Sequence, residues 1–134
     1  MDVLIDTSVL IAIERSGARP ETLLTSAADR RPYLAAITAS ELLHGVHRAD
    51  SAVRRGWRER FVNETLAALP VLAFDLETAR VHARLWADLS QRGQTIGAHD
   101  LQIAATALLH GLSLATVNQR EFRRISGLAV EIWR

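Results

Sequence analysis

Four oxygen-bearing side chains lie where the predicted strands end or the predicted helices begin: Asp6, Glu41, Asp100 and Asn118. In an open α/β sheet such segments meet at one edge, where these folds have their functional sites. Carboxylate and amide oxygens, in a chain without cysteine and without a glycine-rich phosphate loop, suit a hard cation such as Mg²⁺. The residue types and their positions therefore predict a divalent-metal chemistry at this edge.

Each of these residues, taken alone, also has a simple structural explanation. Asp6 can cap the helix that follows it, because aspartate accepts hydrogen bonds from the free amides of a first turn. Thr38 and Glu41 have the spacing of a capping box, in which the glutamate reaches back to the amide of the cap residue. Asp100 is favoured at the positive end of a helix dipole, and Asn118 is a common turn residue.

The four residues together favour a metal site over four independent caps. Carboxylates that share a cleft repel one another, and this repulsion raises the pKa of some of them. A bound divalent cation removes the repulsion, so a single cause accounts for the whole set.

Three histidines raise the alternative of a zinc site: His44, His47 and His99. Glu41, His44 and His47 are spaced three residues apart on one predicted helix. Each step of three turns the side chain by about 60° around the helix axis, so the outer pair diverges. Since no HExxH pattern is present, we favour Mg²⁺ over zinc. His99 is either an exposed first-turn residue or a contact to a substrate phosphate.

The composition is that of a domain-sized chain without disulfides. Its 134 residues are predicted to form one domain, residues 1–134. The absence of cysteine excludes disulfides, thiolate zinc sites and a cysteine nucleophile, and it fits a reducing compartment. No stretch has the pattern of a signal peptide or the length of a membrane span. We therefore expect a soluble protein of the cytoplasm.

The net charge of +1 conceals an uneven distribution of arginine, which supplies all 16 basic side chains. Arginine binds phosphate and carboxylate bidentately and stacks on nucleobases. Two arginine clusters fit either a polyanion-binding surface or ordinary solvated helix faces. They are Arg48, Arg54, Arg55, Arg58 and Arg60 in one stretch, and Arg120, Arg123, Arg124 and Arg134 in another.

Alternating strands and helices must position these residues. Apolar runs bounded by turn residues predict strands at 3–6, 33–37, 71–74, 112–116 and 128–133. Helical spacing and capping residues predict helices that begin near Ser8, Pro20, Thr38, Ala52, Asp75 and Ala98. Right-handed crossovers between the strands then give a three-layer α/β/α domain with a mainly parallel central sheet.

The apolar positions of these helices are assigned to the core. The second helix contributes Leu24, Ala27 and Ala28, and residues 121–125 are predicted to form a short turn. Three aromatic residues are assigned mainly to the core by default: Trp57, Phe61 and Trp86.

Four stretches together carry a resemblance to a known family. They are residues 4–10 (LIDTSVL), 38–45 (TASELLHG), 97–105 (GAHDLQIAA) and 116–122 (TVNQREF). Each motif is weak alone, but their order and spacing over nearly the whole chain are specific. The chain resembles PIN-domain ribonucleases, and more narrowly the VapC toxins of VapBC toxin–antitoxin pairs.

The resemblance implies roles for individual residues. Asp6, Glu41 and Asp100 would be the acidic triad that binds the metal. The family commonly has an aspartate where this chain has Asn118, and Glu121 is the candidate for a compensating fourth acid. Three hydroxyl residues would orient Asp6 or a water on the metal: Thr7, Ser8 and Thr116.

The resemblance also implies a function. The chain would be a Mg²⁺-dependent endoribonuclease, in which Mn²⁺ can substitute, and the toxin of a type II toxin–antitoxin pair. Its partners would be an RNA substrate, a VapB-like antitoxin and a second copy of itself, with helices around Trp57, Phe61 or Trp86 contributing contacts. Attack by a metal-activated water would leave a 5′-phosphate and a 3′-hydroxyl.

Three alternatives come from other classes, and two of them fail because a required residue is missing. A phosphatase of the haloacid-dehalogenase type needs a second carboxylate two residues after the first, where Ser8 stands. A phospho-receiver domain needs a partner lysine, and this chain has no lysine. The remaining alternative is a PIN-fold module that binds RNA or a partner with weak or no cleavage, because Asn118 adds no charge to the site.

Overall fold

The computed structural model describes residues 1–23 and 29–133. Within these residues five strands form one sheet, in the order β3-β2-β1-β4-β5, and every pairing between neighbours is parallel. The strands are β1 (Val3–Ile5), β2 (Pro32–Ala35), β3 (Val71–Leu72), β4 (Ser113–Thr116) and β5 (Val130–Ile132). The predicted parallel sheet is therefore confirmed.

Helices cover both faces of this sheet, which confirms the three-layer architecture. Val3 and Ile5 point into a core with the first three helices, whereas Leu4 points into a core with the last three. The side chains alternate in this way because successive residues of a strand point to opposite faces of the sheet. In the described part of the chain the helices are α1 (Thr7–Ser16), α2 (Ala36–His47), α3 (Ala52–Ala68), α4 (Leu76–Gln91), α5 (Ala98–His110) and α6 (Gln119–Phe122).

The order of the strands creates a crevice between β1 and β4. From β1 the chain adds β2 and then β3 on one side, and it returns to add β4 and β5 on the other. Such a reversal of strand order is the topological switch point at which open parallel sheets bind their ligands. The carboxyl ends of the two strands place Asp6 and Asn118 at this crevice.

Several local predictions need correction. Strand β2 ends at Ala35, which is the N-cap residue of α2, so Thr38 lies inside the helix and the predicted capping box is wrong. The Thr38 side chain is fully buried and meets the Thr7 hydroxyl instead. Strand β3 is two residues shorter than predicted, and the predicted turn at 121–125 overlaps a short helix, α6, that begins at Gln119.

The core assignment of the aromatic residues is correct for Phe61 and wrong for the two tryptophans. Phe61 is 9% exposed, but Trp57 is 68% and Trp86 is 61% exposed. Four predicted positions lie outside the described residues: Leu24, Ala27, Ala28 and Arg134. Among the helices that are described, none is long and apolar enough to cross a membrane.

Candidate active site

Asp6 lies at the centre of the crevice, directly after β1. It is 4% exposed and occupies the N-cap position of α1, yet its side chain accepts no hydrogen bond from the amides of that helix. Its Oδ2 instead accepts hydrogen bonds from Thr116 Oγ1 at 2.8 Å and from Ser8 Oγ at 2.5 Å. Among the described residues Oδ1 has no hydrogen-bond partner. Capping therefore does not explain Asp6, and one of its oxygens is free to bind a ligand.

Glu41 lies in α2 and is held from two directions. Its Oε1 accepts a hydrogen bond of 2.7 Å from the Thr7 hydroxyl, which also lies 3.0 Å from the Thr38 hydroxyl. Its Oε2 lies 3.3 Å from Nδ1 of His99, at the start of α5. Glu41 therefore joins the first turns of α1 and α5 instead of reaching back to its own helix.

The pKa of Asp100 responds to the charges of the other acids in the site. Asp100 lies half-buried in the first turn of α5, and its pKa is raised from 3.8 to about 6. Burial is the largest cause, followed by the charge of Asp6, the charge and hydrogen bond of Glu121, and the charge of Glu41. Like charges disfavour the ionised form, which raises the pKa of an acid. The structure therefore brings these four acids together.

The two candidates for the fourth position differ in where their side chains lie. Asn118 is exposed and its backbone amide donates to Thr116 Oγ1 at 3.0 Å, but its side chain caps no helix. Glu121 lies close enough to Asp100 to raise its pKa, and its Oε2 accepts a hydrogen bond of 3.4 Å from the amide nitrogen of Gly97. Glu121 therefore adds its charge to the field around Asp100.

The donor set fits a hydrated hard cation. In the described chain, no three histidine, aspartate or glutamate side chains stand close enough to enclose a metal ion by themselves. Mg²⁺ does not require such a cage, because it retains several waters and uses one or two carboxylates together with substrate phosphates. Burial and the charges of the neighbouring acids together raise the pKa of Asp100, and a bound cation would relieve the part that comes from repulsion. The same set offers no closed tetrahedral arrangement for zinc.

Sequence reasoning missed two contacts in this site. One is the buried pairing of Thr7 with Thr38, and the other is the approach of His99 to Glu41. The capping-box spacing predicts a helix cap for Thr38, and this local signal hides its contact with Thr7. No local pattern in the sequence indicates that the Thr38 hydroxyl faces inward from the first turn of α2.

An acid-lined crevice at the switch point of a parallel sheet fits a metal-dependent nuclease, and comparison with known proteins shows the family. The family model of the PIN domain matches residues 3–128. Over 130 residues the chain is 37% identical to Ribonuclease VapC1 of Rickettsia felis, covering 97% of this chain and 95% of that one. It is 32% identical over 103 residues to the tRNA(fMet)-specific endonuclease VapC of Salmonella typhimurium, covering 77% and 76% of the two chains.

Solved structures give the same answer for the fold. The DNA-bound VapBC complex of Salmonella typhimurium contains a chain with a TM-score of 0.87 and 27% identity, with 100% of this chain and 99% of that one covered. VapBC2 of Rickettsia felis, bound to a DNA fragment from the promoter, gives a TM-score of 0.89 at 24% identity, with both chains fully covered. The chain belongs to the PIN-domain family, within its VapC group of ribonucleases, which are generally dependent on a divalent metal.

Proposed function

We propose that the chain, as one domain over residues 1–134, is a Mg²⁺-dependent endoribonuclease and the toxin of a type II toxin–antitoxin pair. The observation that carries the proposal is the position of three acids around the half-buried Asp100, whose pKa is raised to about 6 by burial first and then by the charges of these neighbours. A relative described as a tRNA(fMet)-specific endonuclease supports RNA as the substrate. Such an enzyme would act in the cytoplasm, where its substrate is found.

Asp6, Glu41 and Asp100 are the proposed metal ligands. Asp6 offers its free Oδ1, and Asp100 offers a carboxylate whose charge is unfavourable without a counterion. When bound, the metal would supply an activated water and neutralise charge on the scissile phosphate, leaving a 5′-phosphate and a 3′-hydroxyl. Mn²⁺ can substitute, since oxygen ligands also suit it.

The surrounding groups have a positioning role in this proposal. Thr116 and Ser8 fix the orientation of Asp6, and Thr7 fixes that of Glu41. Contacts of this kind hold a metal ligand in one rotamer and lower the entropy that binding costs. Glu121 is the proposed fourth acid, because its charge is one of the causes that raise the pKa of Asp100.

A VapB-like antitoxin and a second copy of the chain are the proposed protein partners. VapBC complexes are among the similar solved structures, which supports the antitoxin. Its basic tail would bring an arginine among Asp6, Glu41 and Asp100, since a guanidinium can bridge two mutually repelled carboxylates. Exposed apolar side chains around Trp86 on α4 support a homodimer.

The experiment is cleavage of a transfer-RNA mixture by the purified chain, with and without Mg²⁺, followed by analysis of the end groups. We expect metal-dependent cleavage that Asp6→Asn abolishes and that Asp29→Asn, an exposed control, leaves unchanged. Folded Asp6→Asn that cleaves at the wild-type rate contradicts the site. Wild-type protein that binds RNA without cleaving it supports the alternative, a PIN-fold binding module.

A further inference from the structure

A groove leads away from the acids along the surface of α1, α2 and α3. It consists of two adjoining cavities of about 420 and 710 Å³ that share Glu14, Arg15 and Arg58 in their walls. The first cavity begins at Glu41 and His99, and the second ends beside Trp57. We call the two together the Trp57 groove. Its volumes lie in the range of sites that bind small organic molecules.

Positive charge increases along the Trp57 groove. The first cavity has two glutamates and three arginines in its wall, whereas the second has two glutamates and five arginines, so positive charge predominates towards Trp57. Within the described residues Arg15, Arg48 and Arg60 form no ion pair, so their charges are available to a ligand. Two other arginines of the wall are already paired: Arg19 with Glu64 at 3.2 Å, and Arg54 with Asp50 at 3.3 Å.

Arg58 is fixed where the two cavities meet. It is half-buried, and its Nη1 donates a hydrogen bond of 3.0 Å to the backbone carbonyl of Gly45 on α2. A guanidinium held in this way has lost part of its rotamer freedom before a ligand arrives. Because arginine carries five N–H donors, the remaining ones can still bind a phosphate.

Trp57 provides an aromatic surface at the far end of the groove. It precedes Phe61 by four residues on α3, so the two side chains lie on the same side of the helix. Phe61 is buried beneath α3, whereas Trp57 is 68% exposed and no described part of the chain covers it. An indole beside unpaired arginines is the combination by which proteins bind single-stranded nucleic acid.

We infer that the Trp57 groove binds unpaired nucleotides of the RNA substrate next to the bond that is cut. One base stacks on Trp57, while backbone phosphates are bound by Arg15, Arg48 and Arg58. In a duplex the base faces are covered by their neighbours, so the ligand is a single-stranded segment or a loop. This inference rests on the proposed function, because the same strand must continue to the acids at the other end of the groove.

The first test measures binding in EDTA, where no cleavage occurs. The probe is a fluorescein-labelled single-stranded RNA of mixed sequence, about ten nucleotides long, compared with the same RNA as a duplex. We expect Trp57→Ala to weaken binding of the single strand by about tenfold to a hundredfold, and Trp57→Phe to weaken it less. Val53→Ala is the control, since Val53 is an apolar residue of the same helix that is 61% exposed and lines neither cavity.

The second test measures the salt dependence of the same binding. Arg15→Ala and Arg48→Ala should each reduce the slope of log K against log salt by about 0.7 to 1. Arg84→Ala, an exposed arginine of α4 outside the groove, should leave the slope unchanged. Melting temperatures of all variants check that the substitutions act on binding and not on the fold.

The outcomes separate the inference from the proposed function. Wild-type protein that cleaves RNA with Mg²⁺, while Trp57→Ala binds and cleaves like wild type, overturns the inference alone. Wild-type protein that never cleaves contradicts the proposed function, and the groove is then judged by binding alone. If Trp57→Ala keeps its affinity for RNA but no longer binds the antitoxin, the groove binds protein and the inference is wrong.

Discussion

Asp100→Asn should stabilise the metal-free protein although it removes a proposed metal ligand. The pKa of Asp100 is raised from 3.8 to about 6, and each unit corresponds to about 1.36 kcal/mol. The full shift would give about 3 kcal/mol, which solvent screening of this half-buried group reduces to about 1–2 kcal/mol. Because the folded pKa exceeds the unfolded one, the ionised carboxylate opposes folding above pH 6. The neutral amide removes that opposition.

The assay is urea denaturation in EDTA over a series of pH values. The free energy of unfolding of Asp100→Asn should exceed that of wild type by the full amount at about pH 7.5. This difference should disappear as the pH falls from about 6 towards 4. Saturating Mg²⁺ should stabilise wild type by mass action and leave the variant unchanged. Glu77→Gln is the matched control, because Glu77 is a first-turn acid of α4 that is 68% exposed.

Three results would refute this reasoning. The first is a variant less stable than wild type at neutral pH without metal, since the carboxylate would then be favourable in the fold. The second is an increase in the free energy of unfolding that is the same at every pH, which would indicate a packing effect. The third is a similar gain in Glu77→Gln, which would assign the effect to the helix dipole.

Three further predictions follow from contacts in and around the site. Glu121→Gln should weaken the response of cleavage to Mg²⁺ strongly, whereas Asn118→Asp should keep or raise activity; indifference to both would leave the triad as the whole site. Thr116→Val should weaken metal affinity by about tenfold to a hundredfold, measured by calorimetry, because it removes a 2.8 Å hydrogen bond from Asp6. Glu131→Gln should cost about 1–2 kcal/mol in urea denaturation near neutral pH, since Arg30 lowers the pKa of Glu131 to about 2 and this group is 33% exposed. That cost should vanish as the pH falls from about 4.5 towards 2, and a difference that persists in acid would contradict the ion-pair explanation.

The sequence predicted the strands and the meeting of the acids because both depend on local patterns. An apolar run such as Val3–Ile5 has no polar face, so it must be a buried strand, and the residue after it must lie at the edge of the sheet. This pattern places Asp6 at that edge, and a helix that begins near Ala98 places Asp100 there as well. Their roles as metal ligands stay predictions.

The errors arose where tertiary contacts replace local ones. Thr38 and Glu41 have capping-box spacing, but both make their hydrogen bonds to Thr7, which is more than thirty residues away. Helical spacing assigned Trp57 to the core because periodicity cannot distinguish a face that the chain covers from one left open to a partner. The pairing of Arg30 with Glu131 across 101 positions carries no local signal at all.

Three consecutive residues at the start of α1 contact two other parts of the protein. Asp6 accepts a hydrogen bond from Thr116 at the end of β4, Ser8 accepts one of 3.2 Å from the amide of Val117, and Thr7 donates to Glu41 on α2. Insertion of one residue after Ile5 would rotate all three by about 100° around the helix axis. The same rotation would turn Val9 and Leu10 of α1 out of their core. Length changes between β1 and α1 should therefore lower activity and stability together, so the number of residues in this connection is a determinant of both.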